Sequence, residues 1–171
     1  IYMNGSNNIE EIINFIEPHF ITDCSTFILL GVKSENWNHN FSPWPAPTLT
    51  KNSENFSGGT DEYLKCLTKI IKPFIDANYR TKAEPENTVL IGYSLAGLAS
   101  LYCLYKSETF GKIGSLSGSL WYDGWLDFIS SNSPVNTAAK VYLSLGRNEE
   151  RSRNKRMSEV GNCTRRTFCI L

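Results

Sequence analysis

The residues best suited to chemistry are 92–97, GYSLAG, where one hydroxyl stands among small residues. A serine hydroxyl attacks a carbonyl efficiently only when a base takes its proton and donors hold the developing oxyanion. A sharp strand-to-helix turn helps, because it raises the hydroxyl above a sheet and brings the next backbone N–H close to it. Such a turn is crowded and favours small residues two before and three after the serine, here Gly92 and Gly97, with Ala96 where a glycine is usual. The pattern favours Ser94 as a nucleophile over the alternative, a serine that only caps a helix.

The segments on either side of this turn are predicted to be the strand and the helix that it requires. Residues 88–91 (TVLI) are a short β-branched and apolar run, typical of a buried strand, and the apolar run at 95–106 predicts a buried helix. Further strands are predicted at 1–3, 27–32, 112–118 and 140–146, and further helices at 9–17 and 60–76 and after 147.

Alternation of strands and helices predicts an α/β fold, a three-layer α/β/α sandwich with a mostly parallel sheet. Ligands of such sheets bind beyond the carboxyl ends of the strands, where Ser94, Ser117 and Gly146 are expected to lie. The helix at 60–76 is expected to bury one stripe of side chains: Tyr63, Leu67, Ile70, Ile71 and Phe74.

Bulk composition narrows the class of protein. The 171 residues are enough for one domain, 1–171, and 17 basic residues balance 17 acidic ones. This balance argues against nucleic acid or an anionic membrane as partner, and the apolar runs are too short to span a bilayer. The five cysteines lack the spacing of a zinc site, and no metal or organic cofactor is implied.

Two features bear on the cellular compartment. A buried free thiol, expected at Cys103, suits the reducing cytoplasm, which is the compartment we predict. Secretion stays the alternative because four N-x-S/T triplets are present, beginning at Asn4, Asn40, Asn55 and Asn162. The sequence does not decide the oligomeric state.

At this point the chain resembles a known group. The turn at Ser94 is similar to that of α/β-hydrolases, and more narrowly of the esterase family that contains enterochelin and other siderophore esterases, S-formylglutathione hydrolase and feruloyl esterases. Gly118 stands where that family has a proline. The other segments that carry the resemblance are residues 1–5 (IYMNG), 41–44 (FSPW), 72–81 (KPFIDANYRT), 116–121 (LSGSLW) and 144–149 (SLGRNE).

The resemblance implies roles at matching positions. Ser94 would be the nucleophile and the backbone N–H of Leu95 one oxyanion donor. The second donor would come from the loop after residue 4, where Ser6 is our candidate. Glu149 would be the acid that orients the base, although Glu150 beside it could be confused with it, and either could be a solvated surface acid.

Aromatic residues of two loops are candidates for a substrate pocket. We select Tyr93, Trp121 and Trp44, while the tryptophans as a group, with Trp37 and Trp125, could equally cover the core. The charged run at 147–156 (RNEERSRNKR) is more typical of a solvated helix face than of a nucleic-acid patch.

In this family the catalytic residues follow the order serine, acid, histidine, and the sequence has no histidine after Glu149 to act as the base. Both histidines, His19 and His39, precede Ser94; His39 could line a pocket, but its use would break that order. We therefore expect an incomplete chain, cut at both ends and lacking the last strand and its catalytic histidine.

The expected function is a serine esterase that forms an acyl-enzyme from a small or siderophore-like ester; siderophore, carbohydrate-ester and thioester substrates stay open. The alternatives are a non-catalytic ligand-binding relative and an acyltransferase of the same fold.

Overall fold

A five-stranded parallel sheet organises the computed structural model, which describes residues 1–5, 9–19, 26–50 and 53–171. The sheet has the order β2-β1-β5-β6-β7, and each neighbouring pair is parallel. Strands β3 and β4 form a separate antiparallel pair. The strands are β1 (Tyr2–Asn4), β2 (Leu30–Val32), β3 (Pro45–Ala46), β4 (Phe56–Ser57), β5 (Val89–Tyr93), β6 (Lys112–Leu116) and β7 (Lys140–Ser144).

Helices connect these strands, so the predicted α/β architecture with a mostly parallel sheet is confirmed. They are α1 (Ile9–Ile16), α2 (Trp37–Asn40), α3 (Thr60–Cys66), α4 (Lys72–Asn78), α5 (Leu95–Tyr102), α6 (Trp125–Ser131) and α7 (Val160–Ile170). The segment at 27–32 forms a shorter strand than predicted, and the stretch at 34–59, which lacks periodicity, holds α2, β3 and β4. Among the described residues, no helix is long and apolar enough to cross a membrane.

Helix α5 is buried around its whole circumference, because all eight of its residues are buried. A helix that is apolar on every side belongs inside a domain, where it packs here against β5 and β6. Cys103 continues the helix in a 3₁₀ turn, and burial raises the pKa of its thiol to about 12. The thiol therefore stays protonated, as expected of a core residue.

The predicted stripe of the helix at 60–76 is wrong in its second half. Ile70 and Phe74 are exposed, whereas Lys72 and Ile75 are buried. The cause is a π-helical segment, Leu67–Ile71, between α3 and α4. A π turn holds more residues than an α turn, so it rotates the following residues around the axis and changes which of them face inward.

The carboxyl ends of three adjacent strands meet at one edge of the sheet, as predicted. Tyr93 of β5 pairs with Leu116 of β6, which in turn pairs with Ser144 of β7. Ser94 and Ser117 are therefore the first residues beyond two neighbouring strands. Chemistry-bearing residues from three separate segments are brought to this edge by the topology alone.

Candidate active site

Ser94 occupies a strained turn between β5 and α5. Its φ of 56° and ψ of −124° place it at positive φ, which side chains other than glycine rarely adopt. A β-carbon on Gly92 would stand 2.3 Å from the carbonyl oxygen of Ala96, and one on Gly97 would stand 2.9 Å from that of Gly92. The glycines two before and three after the serine are thus required by backbone crowding, as the sequence pattern predicts.

The turn is held in place by the loop that follows β6. The backbone N–H of Ser94 donates to the carbonyl of Leu116 at 3.0 Å, and the N–H of Ser119 donates to the carbonyl of Ser94 at 3.0 Å. The hydroxyl oxygens of Ser94 and Ser119 lie 3.2 Å apart, so the two side chains are hydrogen-bonded. Leu95 begins α5, and its backbone N–H therefore lies at the helix N-terminus beside the nucleophile candidate.

Ser117 is the other strained serine of this edge. With a φ of 46°, it is the only non-glycine residue besides Ser94 at positive φ in the described chain. Its backbone N–H donates to Ser144 of β7 at 2.9 Å, and its hydroxyl donates to the Oε1 of Glu149 at 2.6 Å. Strain of this kind collects at functional sites, where the surrounding structure maintains it.

The two adjacent glutamates point to different partners. Glu149 accepts hydrogen bonds at Oε1 from the Ser117 hydroxyl and, at 2.9 Å, from the backbone N–H of Gly146. Glu150 instead forms a 2.7 Å ion pair with Arg165 of α7. Glu149, and not Glu150, lines a cleft together with Ser94.

Two clefts meet at Ser94. The larger, about 340 Å³, is bounded by Ser94 and Glu149 and also by Tyr93, Ser117 and Trp121. The smaller, about 180 Å³, opens on the other side of Ser94 and shares Ser94, Ser119 and Trp121 with the first. Its remaining walls combine apolar side chains, including Trp37, Leu49 and Phe56, with the polar residues Asn38, Ser53 and Glu54. Trp121 and Ser119 therefore separate two compartments, each open to the Ser94 hydroxyl.

Other predicted pocket residues lie elsewhere. Trp44 does not line either of these clefts: its indole N–H donates to the carbonyl of Asp123 at 2.8 Å, and its ring packs against Phe128 at a centroid distance of 5.3 Å. Trp125 is fully buried and donates to Thr167. Ser6, the candidate for the second oxyanion donor, lies outside the described residues.

Neither histidine is among the residues that line the two clefts. The Nδ1 of His39 lies 2.8 Å from the Ser57 hydroxyl, and its ring fills the space where a Gly59 side chain would stand. His39 thus ties α2 to β4. His19 ends the 3₁₀ turn that follows α1.

Ser119 is a site residue that the sequence analysis did not identify, and Ser117 is one that it placed at this edge without a role. Both belong to the segment at 116–121 that carries part of the resemblance. Their position directly after a strand adjacent to β5 was the available signal, because parallel neighbours end at the same edge.

A serine on a strained strand-to-helix turn, above the carboxyl edge of a parallel sheet, defines the α/β-hydrolase class. Within that class the chain belongs to the Esterase family, whose description reads "Putative esterase" and whose model matches residues 18–168. The resemblance stated from the sequence is therefore confirmed.

Individual proteins are similar to this chain in sequence or in fold. YbbA, an uncharacterized protein of Bacillus subtilis (strain 168), is 34% identical over 152 residues, which make up 88% of this chain and 61% of that protein. A siderophore enterobactin esterase of Emericella nidulans is 28% identical over 88 residues, 51% of this chain and 26% of that protein. The siderophore hydrolase EstA from Aspergillus nidulans shares the fold, with a TM-score of 0.64 at 20% identity over 99% of this chain and 64% of its own. The chain thus spans less than two thirds of each of these proteins.

Proposed function

We propose that this protein is a serine esterase and that Ser94 is its nucleophile. The observation that carries the proposal is the shared cleft, in which a strained serine hydroxyl and a hydrogen-bonded carboxylate, Glu149, line one space of about 340 Å³. We infer that an imidazole binds in this cleft between the hydroxyl and the carboxylate. The family membership and the names of relatives that hydrolyse siderophores support an ester as substrate, and we propose a small or siderophore-like one.

The reaction proceeds by acyl transfer in two steps. The Ser94 oxygen bonds to the ester carbonyl carbon while its proton passes to a histidine base, and the carbonyl oxygen becomes an oxyanion. The N–H of Leu95 and a donor from the loop at Ser6 hold that oxyanion. The intermediate collapses, the bond to the alcohol breaks, and the alcohol leaves with the proton from the histidine. Water then attacks the acyl-enzyme by the same route and releases the acid.

Glu149 orients the histidine and stabilises its protonated form. Two donors, Ser117 and the N–H of Gly146, fix one carboxylate oxygen and leave the other for the imidazole. Since His19 and His39 do not line the cleft, we propose that the base comes from a residue outside these 171. This part of the mechanism makes a direct prediction, because imidazole from solution can then fill the same place.

The test uses p-nitrophenyl acetate with the 171-residue chain. Without imidazole we expect slow turnover, and added imidazole should accelerate the protein-dependent rate. Ser94→Ala measures the reaction of imidazole itself with the ester, and a fluorophosphonate probe followed by peptide mass spectrometry should locate the label on Ser94. Glu149→Gln should lower the imidazole-dependent rate about 100-fold or more, whereas the matched Glu150→Gln should not.

Two outcomes discriminate between the candidate functions, and a third tests the role of Glu149. Equal imidazole-dependent rates in wild type and Ser94→Ala would overturn the esterase and leave a ligand-binding relative. Transfer of the acyl group to an added alcohol in preference to water would identify an acyltransferase. Equal effects of the Glu149 and Glu150 substitutions would remove Glu149 from the mechanism.

A further inference from the structure

Arg156 ends the charged run at 147–156 but does not lie on a solvated helix face, so that prediction is wrong here. Its guanidinium donates to the carbonyl of Pro47 at 2.9 Å and to that of Thr48 at 3.2 Å, and it forms a 2.8 Å ion pair with Asp123. The same group lies over the ring of Trp121, 5.5 Å from its centroid. Only 27% of the Arg156 side chain is exposed. One guanidinium thus joins three segments that are distant in sequence.

Asn154 extends this connection to the smaller cleft. Its side-chain amide donates to the carbonyl of Leu49 at 3.2 Å, and its oxygen accepts from the backbone N–H of Arg156 at 2.9 Å. Leu49 and Trp121 are both walls of the 180 Å³ cleft beside Ser94. The segment at 154–156 therefore contacts two residues that form walls of that cleft.

The path of proton transfer indicates which of the two clefts binds the alcohol part of the ester and which binds the acyl part. In the proposed mechanism the alcohol takes its proton from the histidine, which would stand between Ser94 and Glu149. The alcohol therefore leaves through the 340 Å³ cleft that contains Glu149, and the acyl group occupies the smaller cleft, which has Trp37, Leu49 and Phe56 among its walls. Trp121 is the wall between the two.

We propose that Arg156 is a positioning residue that determines acyl-group specificity. By holding Trp121 and the 47–49 loop in place, it fixes the size of the acyl cleft without contacting the ester. The planar guanidinium is needed because it covers an indole face while its Nη1 donates to two carbonyls and its Nη2 pairs with the Asp123 carboxylate. A lysine ammonium has no planar face to lie on the indole. The inference rests on the proposed function, since it assumes that Ser94 is acylated.

The experiment compares p-nitrophenyl acetate, butyrate and octanoate in the imidazole assay. Arg156→Ala and Arg156→Lys should raise kcat/KM for octanoate relative to acetate by on the order of tenfold, because the cleft wall is no longer fixed, while the acetate rate stays within about threefold. Arg153→Ala removes the same charge from an exposed neighbour and should leave the ratio unchanged.

A second readout does not depend on catalysis. In protein labelled with 5-fluorotryptophan, the ¹⁹F resonance assigned by Trp121→Phe should shift and broaden in both Arg156 variants but not in Arg153→Ala. An unchanged resonance in the folded variants, or an unchanged selectivity while wild type is acylated at Ser94, would overturn the inference. A wild type that is not acylated at all would instead overturn the proposed function.

Discussion

Gly92→Ala tests most directly whether backbone crowding shapes the turn at Ser94. The added methyl would stand 2.3 Å from the carbonyl oxygen of Ala96 and 2.4 Å from its carbonyl carbon, whereas non-bonded carbon atoms prefer about 3.5–4.0 Å. No rotamer can relieve this clash because both groups belong to the backbone on either side of Ser94. The same carbonyl also accepts from the hydroxyl of Ser100 at 2.8 Å, so its displacement breaks a buried hydrogen bond.

The expected loss in the free energy of unfolding is about 3 kcal/mol, the upper part of the range for overpacking. For a chain of this size that lowers Tm by about 6–12 °C. Circular dichroism melts would measure the change, and the rate of fluorophosphonate labelling at Ser94 should fall well below that of wild type at a temperature where both proteins are folded.

Gly114→Ala is the matched control in the neighbouring strand β6. Its added methyl would meet the Cγ2 of Ile91 at 2.7 Å, which is a side-chain methyl and not backbone, so the loss should be smaller, about 1–2 kcal/mol. If Gly92→Ala melts within about 2 °C of wild type and labels at the same rate, the argument from crowding at this turn is refuted.

Three further substitutions test the surroundings of the site. Ser117→Ala removes a donor to the Glu149 carboxylate and should lower kcat about tenfold with KM unchanged, measured in the imidazole assay. Asp76→Asn breaks the 2.6 Å ion pair with buried Lys72 and should cost about 2 kcal/mol at pH 7 by chemical denaturation. Asn4→Leu removes two side-chain hydrogen bonds of a buried residue and should also cost about 2 kcal/mol, measured the same way.

The pH dependence of stability gives a further check of the Asp76→Asn prediction. Burial alone would raise the pKa of Asp76, but hydrogen bonds from Lys72 and Thr81 and the charge of Lys72 lower it below its ordinary value. A carboxylate with a depressed folded-state pKa adds stability above its unfolded pKa of about 4 and loses it as the pH falls further. Wild type should therefore lose stability below pH 4 more steeply than Asp76→Asn. Parallel curves would contradict this assignment. A wild-type kcat in Ser117→Ala, or wild-type stability in Asn4→Leu, would instead contradict the effect predicted for that residue's own hydrogen bonds.

The sequence predicted the parts of the site that depend on local chemistry. The turn at Ser94 could be recognised because a strand, three small residues and a buried helix are contiguous, and the edge of the sheet followed from alternation. Glu149 needed the family resemblance, since a lone acid in a charged run carries no local signal; its role remains a proposal.

The features that the sequence did not predict depend mostly on contacts between segments that are distant along the chain. The hydrogen bond from Trp44 joins residues 79 positions apart, and Arg156 reaches carbonyls more than 100 positions away. No periodicity encodes such pairs. The π-helical segment Leu67–Ile71 escaped for another reason: helical spacing assumes a constant turn, and one wider turn redirected Phe74 to solvent.

The complete burial of α5 has a consequence for how this molecule fluctuates. A helix with no exposed face cannot detach without exposing the core, so its amide protons should exchange with solvent only through global unfolding. The turn that carries Ser94 is the first part of the same cooperative unit. A partly unfolded chain that has lost this helix therefore has no organised turn at Ser94, and the proposed nucleophile is in place only in molecules whose sheet is already assembled.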